Sequence, residues 1–483
     1  MNILYVCSEV FPFSKTGGLG DVAGALPAAL AALGHDVKVV TPLYGSVPRH
    51  GISSTHREIR LRFPFGVQTA ELLSAKFGGR HEVIFLDHHA FFGNRGGVYG
   101  DANGDYGDNA RRFCFLSVGA LSAAQVLGFE PDVIHLNDWQ TALAAVAARR
   151  GYRGTRVGDA KTVVTVHNLA YQGVYPKAVM DDLGLPWDLF RADGLEFYDQ
   201  VNFLKGGLAW CSAITTVSRR YALEIQGPEL GCNLDGLLRG RSGDLHGILN
   251  GIDEEEWDPS RDPFLPAPFS AADLAGKEAC KRELCRRFGL HAPEGEPGTP
   301  VFAVVSRLAA QKGIDLLLSV MPAALEQLDM QFVCVGSGDP ALEHQIHELT
   351  RRFPGRVGSF LGFNAEASHL IEGGADFFVM PSRYEPCGLN QMYSLRYGTV
   401  PIVRATGGLD DTVQDLSGPG ATGIKFQDFS SGALFQAISR GIDLYRDRPR
   451  LEEVRRRGMV QDFSWAASAK RYEQLFTSLV LAR

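Results

Sequence analysis

Short apolar runs alternate along this chain with longer stretches whose apolar residues recur every three or four positions. In the first half the runs at 2–7, 36–41, 82–86, 132–136, 162–166 and 213–217 read as strands. Stretches 21–33 and 111–127, rich in Ala and Leu, carry helical spacing between them. The second half repeats the pattern, with strand runs at 301–306, 331–335, 376–380 and 400–404 and helical spacing at 315–328, 389–397 and 410–416. Alternation of this kind predicts parallel sheets covered by helices on both faces. The fold class is α/β, with two doubly wound, Rossmann-like domains. Ligands are then expected beyond the carboxyl ends of the strands.

Residues 225–250 are rich in Gly and lead into the turn Leu249-Asn250-Gly251-Ile252-Asp253. The switch between domains is placed near residue 245, giving domains at 1–245 and 246–460. Residues 258–300 hold many prolines and a charged helical stretch at 277–288. The final segment, 461–483, contains an amphipathic helix at 462–481 whose docking partner periodicity does not reveal.

Composition narrows the function. The 483 residues are too many for one core, and 45% hydrophobic with 21% charged residues suits a globular protein. A net charge of −7 gives no sign of a nucleic-acid or acidic-membrane partner. The start, MNILYVCSEV, reads as a strand without the basic and apolar regions of a signal peptide, and no apolar run is long enough to span a bilayer. Eight scattered cysteines without a C-x-x-C pair fit reduced thiols in a cytoplasmic protein. His344 and His347 have metal-like spacing but lie in a charged helical stretch, so they read as solvated and no metal or cofactor is expected.

The candidate chemistry sits where strands end. Thr16-Gly17-Gly18-Leu19 recurs as Thr406-Gly407-Gly408-Leu409, each copy after a strand run and before helical spacing. Paired glycines at a helix start let backbone N–H groups approach an anion, and Lys15 adds a charge to the first copy. Gly18-Leu19-Gly20-Asp21-Val22-Ala23 also fits a dinucleotide fingerprint. However, the glycines lie some way past the strand, and the second strand ends Val39-Val40-Thr41-Pro42 with no acid for a ribose. A phosphate or sugar-phosphate loop is favoured. Arg307 and Lys312 share one strand-to-helix loop, a fork and a point charge for phosphate oxygens, or two solvated cations. Glu385 precedes Pro386-Cys387-Gly388-Leu389 at a predicted helix start, where it could serve a sugar or only the helix. His167-Asn168 and Asp138-Trp139 end two strands of the first half. The latter pair suits either a sugar platform or a packed Trp beside a capping Asp.

Taken together, Lys15–Val22, the Ser306–Gly313 loop, Tyr384–Leu389, Arg404–Leu409 and Asp462-Phe463-Ser464-Trp465 resemble bacterial glycogen synthases and plant starch synthases, from residue 1 to about 480. The resemblance implies a GT-B glycosyltransferase with facing domains and an interdomain cleft. The implied reaction is retaining transfer of glucose from ADP-glucose to the 4-hydroxyl at the non-reducing end of an α-1,4-glucan, in glycogen biosynthesis. It implies that Lys15, Arg307 and Lys312 hold the diphosphate, that Glu385 supports an oxocarbenium-like transition state, and that His167 contacts the donor glucose. Asp21, Asp138 and Asn250 would line the cleft, with Tyr99 and Asn168 near the sugar and Gly17 and Gly18 in the donor loop. Cys387, Gly388 and Leu389 would present backbone groups, while Thr406, Gly407 and Gly408 close the phosphate end. Phe363 would stack on the adenine in place of the more frequent Tyr, Asn390 stands where Thr or Ile is common, and Tyr393 stands where broader relatives have a second Glu. The last helix would cross back to the first domain. The residues by themselves leave ADP-glucose and UDP-glucose both open.

Overall fold

The computed structural model describes residues 1–76, 81–292 and 298–482. The chain divides into two units. One comprises Met1–Val217, Ala222–Gly251 and Trp465–Arg483; the other comprises Ser218–Tyr221 and Ile252–Ser464.

The first unit is built on a nine-stranded sheet: β1 (Asn2–Val6), β2 (Asp36–Pro42), β3 (Ser53–Phe63), β4 (Gly66–Lys76), β5 (His81–Asp87), β6 (Val133–Asn137), β7 (Lys161–Val166), β8 (Ala213–Thr216) and β9 (Leu245–Gly247). Their order is β9-β8-β7-β6-β1-β2-β5-β4-β3. Helices α1 (Gly18–Ala32), α2 (Asn109–Val126) and α3 (Trp139–Gly151) make the main crossovers, and the short α4 (Val179–Leu183) lies further along. The central strands are parallel and almost wholly buried, as strands covered on both faces must be. The expectation of a purely parallel sheet is corrected at one edge, where β3 and β4 form an antiparallel hairpin joined to β5. Its sequence, with His56-Arg57-Glu58 followed by Arg60 and Arg62 between apolar residues, is half solvated and lacks the continuous apolar run that marks its neighbours. Charged side chains on an outermost strand also discourage pairing with other chains.

The second unit contains the parallel strands β10 (Val301–Val305), β11 (Gln331–Gly336), β12 (Val357–Leu361), β13 (Phe377–Met380), β14 (Val400–Arg404) and β15 (Ile424–Phe426), ordered β12-β11-β10-β13-β14-β15. Its helices include α5 (Ala275–Arg287), α6 (Ile314–Gln327), α7 (Ala365–Gly374), α8 (Asn390–Arg396), α9 (Gly407–Thr412) and α10 (Arg448–Met459). Alternate residues of one strand feed two cores: Phe302 and Val304 pack on one face, Val301 and Ala303 on the other. Strands β12 and β15 were not anticipated. The helix expected at 410–416 ends at Thr412, because the Asp415 carboxylate is engaged in a turn. It accepts from the Lys425 N–H at 2.7 Å, the Ser417 N–H at 3.0 Å and the Arg440 guanidinium. Helix α11 (Trp465–Leu481) is grouped with the first unit, where Tyr472 and Phe476 pack on His135 of β6. No helix among the described residues is long and apolar enough to cross a membrane.

One buried ionic hub ties the elements of the second unit together. Asp376, just before β13, receives Lys281 of α5 at 2.8 Å, Arg455 of α10 at 2.7 Å and the Val301 N–H of β10 at 2.9 Å. Burial by itself would raise the Asp376 carboxyl, but Lys281 and Arg455 hold it below its ordinary value. Nearby, Lys277 donates to the carbonyls of Gly373 and Tyr397 and to the Thr399 hydroxyl, and burial pulls its ammonium down to about 7.

Asp376→Asn keeps the shape and leaves two buried cations without their carboxylate. It should destabilise the second unit by about 3–5 kcal/mol, measured as the shift of its chemical-denaturation transition. Because the Asp376 pKa is depressed by folding, its contribution is full above the unfolded value of about 4 and is lost as pH falls through the folded value. The difference between wild type and variant should therefore shrink in acid.

Candidate active site

Each unit gathers polar side chains beyond the carboxyl ends of its strands. In the first unit the chain leaves β1 through Cys7, Ser8 and Glu9 and returns as helix α1. Glu9 is 2% exposed, and its carboxylate accepts the Thr16 N–H, the Thr16 hydroxyl at 2.8 Å and the Tyr99 hydroxyl at 2.5 Å. These bonds fix the backbone beside Lys15. The Lys15 ammonium lies 2.7 Å from Asp21 in the first turn of α1, and both side chains are well exposed. An exposed pair of this sort is worth at most ~1 kcal/mol, so an incoming dianion can displace it at little cost. No side chain among the described residues caps the N-terminus of α1.

Asp138 follows β6 in a left-handed conformation, φ 55°. Its carboxylate accepts the His167 N–H at 2.7 Å and the Asn168 N–H. Burial pushes this carboxyl up to about 7, against the pull of those two N–H groups. Burial also pushes the His167 imidazole down to about 4, so the ring is neutral near pH 7. Its tautomer follows from the neighbouring amide. Asn137 Nδ2 donates to the Val6 carbonyl at 3.0 Å, which leaves Oδ1 to accept from His167 Nε2 at 3.0 Å. Nε2 therefore carries the proton, and Nδ1 is the acceptor. Of the two readings for Asp138-Trp139, packing prevails at Trp139, which is buried against Phe113, Tyr175 and Phe203, but the Asp138 carboxylate serves residues 167 and 168 rather than capping α3. Asn250, beyond β9, is 7% exposed, and its buried Oδ1 has no partner among the described residues.

The second unit holds a cavity of about 320 Å³ at the ends of β10, β11 and β13. Arg307, Lys312, Phe363, Gly388, Leu389 and Asn390 line it together. The Phe363 ring is 89% exposed, a free aromatic face at the edge of the cavity. Asn390 donates to the Val305 carbonyl at 2.7 Å. Lys312 pairs with Glu385 at 2.6 Å, and the Ser382 hydroxyl donates to the same carboxylate oxygen at 3.1 Å. Sequence reasoning missed Glu9, Asn137, Gly336 and Ser337, the last two also lining the cavity. Each lies at or just beyond a strand's carboxyl end, so the rule that flagged Arg307 points equally to them.

Thr406, Gly407 and Gly408 do not line the cavity; they are buried beneath the Glu385–Cys387 loop. A Cβ on Gly407 would sit 1.9 Å from the Glu385 carbonyl, and one on Gly408 would sit 1.9 Å from the Cys387 carbonyl. The Gly408 N–H donates to the Glu385 carbonyl at 3.0 Å. Gln391, fully buried in α8, donates from Nε2 to the carbonyls of Cys387 at 3.0 Å and Gly388 at 2.9 Å and to the Thr412 hydroxyl at 3.2 Å. Gly17 and Gly18 differ: a Cβ there meets nothing within 4 Å, and the Gly17 backbone is extended at φ −158°.

Known proteins account for this arrangement. Residues 2–240 match the model of the starch synthase catalytic domain, and residues 290–457 match that of the glycosyl transferases group 1. The chain is 60% identical to glycogen synthase of Myxococcus xanthus over 482 residues, covering 99% of this chain and all of that one. It belongs to the glycogen synthase family. A glycogen synthase of Koribacter versatilis is 45% identical over 480 residues, covering 99% of this chain and 98% of that one. The catalytic domain of starch synthase IV from Arabidopsis thaliana, bound to ADP and acarbose, superposes with a TM-score of 0.89 at 34% identity over 99% of both chains. The chain is thus a glycosyltransferase with the GT-B fold of two Rossmann-like domains. Sucrose-phosphate synthase from Thermosynechococcus elongatus, at 19% identity and a TM-score of 0.61, shares the fold over all of both chains.

Two substitutions separate the roles of the repeated glycines. Gly408→Ala should lower stability by roughly 2 kcal/mol or more, through forced displacement of the 385–387 loop. Gly17→Ala should leave the melting temperature unchanged and lower kcat/KM by about tenfold or more. Gln391→Met keeps the side chain's shape and removes the two N–H groups shared among the Cys387, Gly388 and Thr412 oxygens. It should reduce kcat by at least about tenfold while the fold persists, with circular dichroism as the check on folding.

Proposed function

We propose that the protein elongates an α-1,4-glucan, taking glucose from ADP-glucose and adding it to the 4-hydroxyl at the non-reducing end with retention. The observation that carries this reading is the cavity of the second unit. It combines Arg307, Lys312 and the free face of Phe363 with Glu385 ion-paired at its edge. Cations suit a diphosphate, an exposed ring suits a base, and a buried carboxylate suits a sugar that gains positive charge. Support comes from the ADP in the starch synthase IV structure and from the full-length likeness to bacterial glycogen synthases.

In this proposal the diphosphate takes over the positive charges now paired with carboxylates. Lys312 moves from Glu385 toward the phosphate, Lys15 moves from Asp21, and Arg307 adds its fork. The freed Glu385 carboxylate then faces the anomeric carbon as the glycosidic bond to phosphate breaks. Neutral His167 positions the glucose, Asp138 and Asn250 contact the donor, and Tyr99 and Asn168 lie near the glucose and the glucan. Attack comes from the face that the phosphate leaves, and the departing phosphate oxygen takes the acceptor's proton. Gly17 and Gly18 leave room at the α1 N-terminus for phosphate oxygens, since neither packing nor backbone angle requires glycine there. Domains at 1–245 and 246–460 with the 461–483 helix, and residence in the cytoplasm where eight free thiols stay reduced, complete the proposal.

Incubation with glycogen and either ADP-glucose or UDP-glucose, followed by nucleotide release and glucan growth, tests the donor. ADP-glucose should be turned over faster, and equal or reversed rates would overturn the choice. Glu385→Gln should lower kcat by at least about a hundredfold with little change in KM. A variant with near-normal kcat would remove Glu385 from the reaction.

A further inference from the structure

The loop that carries Glu385 is held at one carbonyl after another, and one of those bonds comes from a distant part of the chain. The Arg404 guanidinium donates to the Arg383 carbonyl at 2.6 Å, and the Gly408 N–H donates to that of Glu385 at 3.0 Å. Gln391 serves those of Cys387 and Gly388. The Pro386 carbonyl accepts from the Ser218 hydroxyl at 2.6 Å, across 168 positions of sequence. Pro386 has no N–H, so this carbonyl is the one backbone group by which the residue can be hydrogen-bonded.

Ser218 follows β8 and opens the segment Ser218–Tyr221, which is grouped with the second unit. The side chain is fully buried. Its single hydroxyl proton goes to the Pro386 carbonyl, which can only accept, and its oxygen accepts the Tyr221 N–H at 3.1 Å. The Asp411 carboxylate takes the N–H groups of Arg219 at 2.6 Å and Arg220 at 3.1 Å. Asp411 lies in α9, the helix whose Gly408 supports Glu385. The segment is thus anchored independently of Pro386, and Ser218 presents its hydroxyl from a fixed place. Ser218 does not line the cavity, so it reaches the reaction only through the loop.

We propose that Ser218 is a positioning residue for glucosyl transfer, whose hydroxyl fixes Pro386 and with it the place of the neighbouring Glu385 carboxylate. Its role rests on the one proposed above for Glu385. A buried carbonyl deprived of its donor turns toward another partner. With φ locked by its ring, Pro386 has only ψ to absorb that turn, and Cys387 on the far side is held by Gln391. The displacement is therefore passed back to Glu385. A shift of about 1 Å at a reacting group can cost on the order of a hundredfold in rate.

Steady-state kinetics of Ser218→Ala, Glu385→Gln and the double variant test the proposal. Ser218→Ala should lower kcat by at least about tenfold and leave KM for ADP-glucose and for glycogen within about threefold. In the Glu385→Gln background the same substitution should change kcat by less than about twofold, because the group it positions is already gone. A general loosening of the fold would instead multiply the two losses. If Ser218→Ala fails to fold by circular dichroism, Ser218→Cys, which keeps a weak donor at the same place, serves for the same comparison. Wild-type kcat in the folded Ser218 variant, a loss confined to KM, or multiplied losses in the double variant would each overturn the role of Ser218. Near-normal kcat in Glu385→Gln would instead overturn the reading of Glu385 on which it rests.

Discussion

The second unit's chemistry depends on how closely one irregular loop can lie on another. Residues 385–389 lie outside any helix or strand, yet Glu385 and Cys387 are buried, so their backbone polar groups need partners from the elements around them. Gly408 answers the Glu385 carbonyl, and Gln391 answers those of Cys387 and Gly388. Only glycine at 407 and 408 allows the approach, because any Cβ would lie within 2 Å of a carbonyl oxygen. The position of the Glu385 carboxylate is thus set by backbone packing beneath it, with Lys312 and Ser382 fixing its direction from above.

Beneath this pair of loops lies the ionic hub at Asp376, which heads the strand that delivers residue 385. The hub joins α5, α10 and β10, and the neighbouring Lys277 ties the ends of α7 and α8 through their carbonyls. Helix α8 carries Gln391, so the rigidity of the core is transmitted to the loop through one side chain. The first unit uses a different device. There Glu9 holds the Thr16 backbone and the Tyr99 hydroxyl together, and Asp138 accepts the two N–H groups that follow β7. In both units a buried carboxylate orders a loop at a strand end. Neutral His167 and the easily displaced pair Lys15–Asp21 leave few charges in the first unit needing rearrangement against strong forces.

Much of this was legible from the residues because buried parallel strands are continuous apolar runs. The runs at 301–306 and 376–380 lie within a residue or two of β10 and β13, and the rule for ligand placement then points to Arg307 and Lys312, whereas Phe363 is indicated by the family resemblance alone. The β3–β4 hairpin escaped notice because a half-solvated strand with three arginines carries no such run. Asp415 escaped for another reason: its turn depends on Lys425 and Arg440, far along the chain, so local spacing favoured helix. Glu9 looked like an ordinary acid after a strand, and its role depends on Tyr99, ninety residues away. Long-range partners of this kind leave no periodic trace.

The repeated Thr-Gly-Gly-Leu shows how one spelling can answer two physical demands. At 406–409 the glycines are required by the protein itself, since the space for a side chain is already filled by main-chain oxygens and one N–H is already donated. At 16–19 neither contact nor backbone angle requires them among the described residues. The proposed phosphate contact rests on this helix start, with Lys15 beside it and no Cβ to obstruct it. The second copy instead supports the loop that carries Glu385. On that proposal the two copies divide the work between binding charge and supporting the carboxylate, although the sequence writes both in the same four letters.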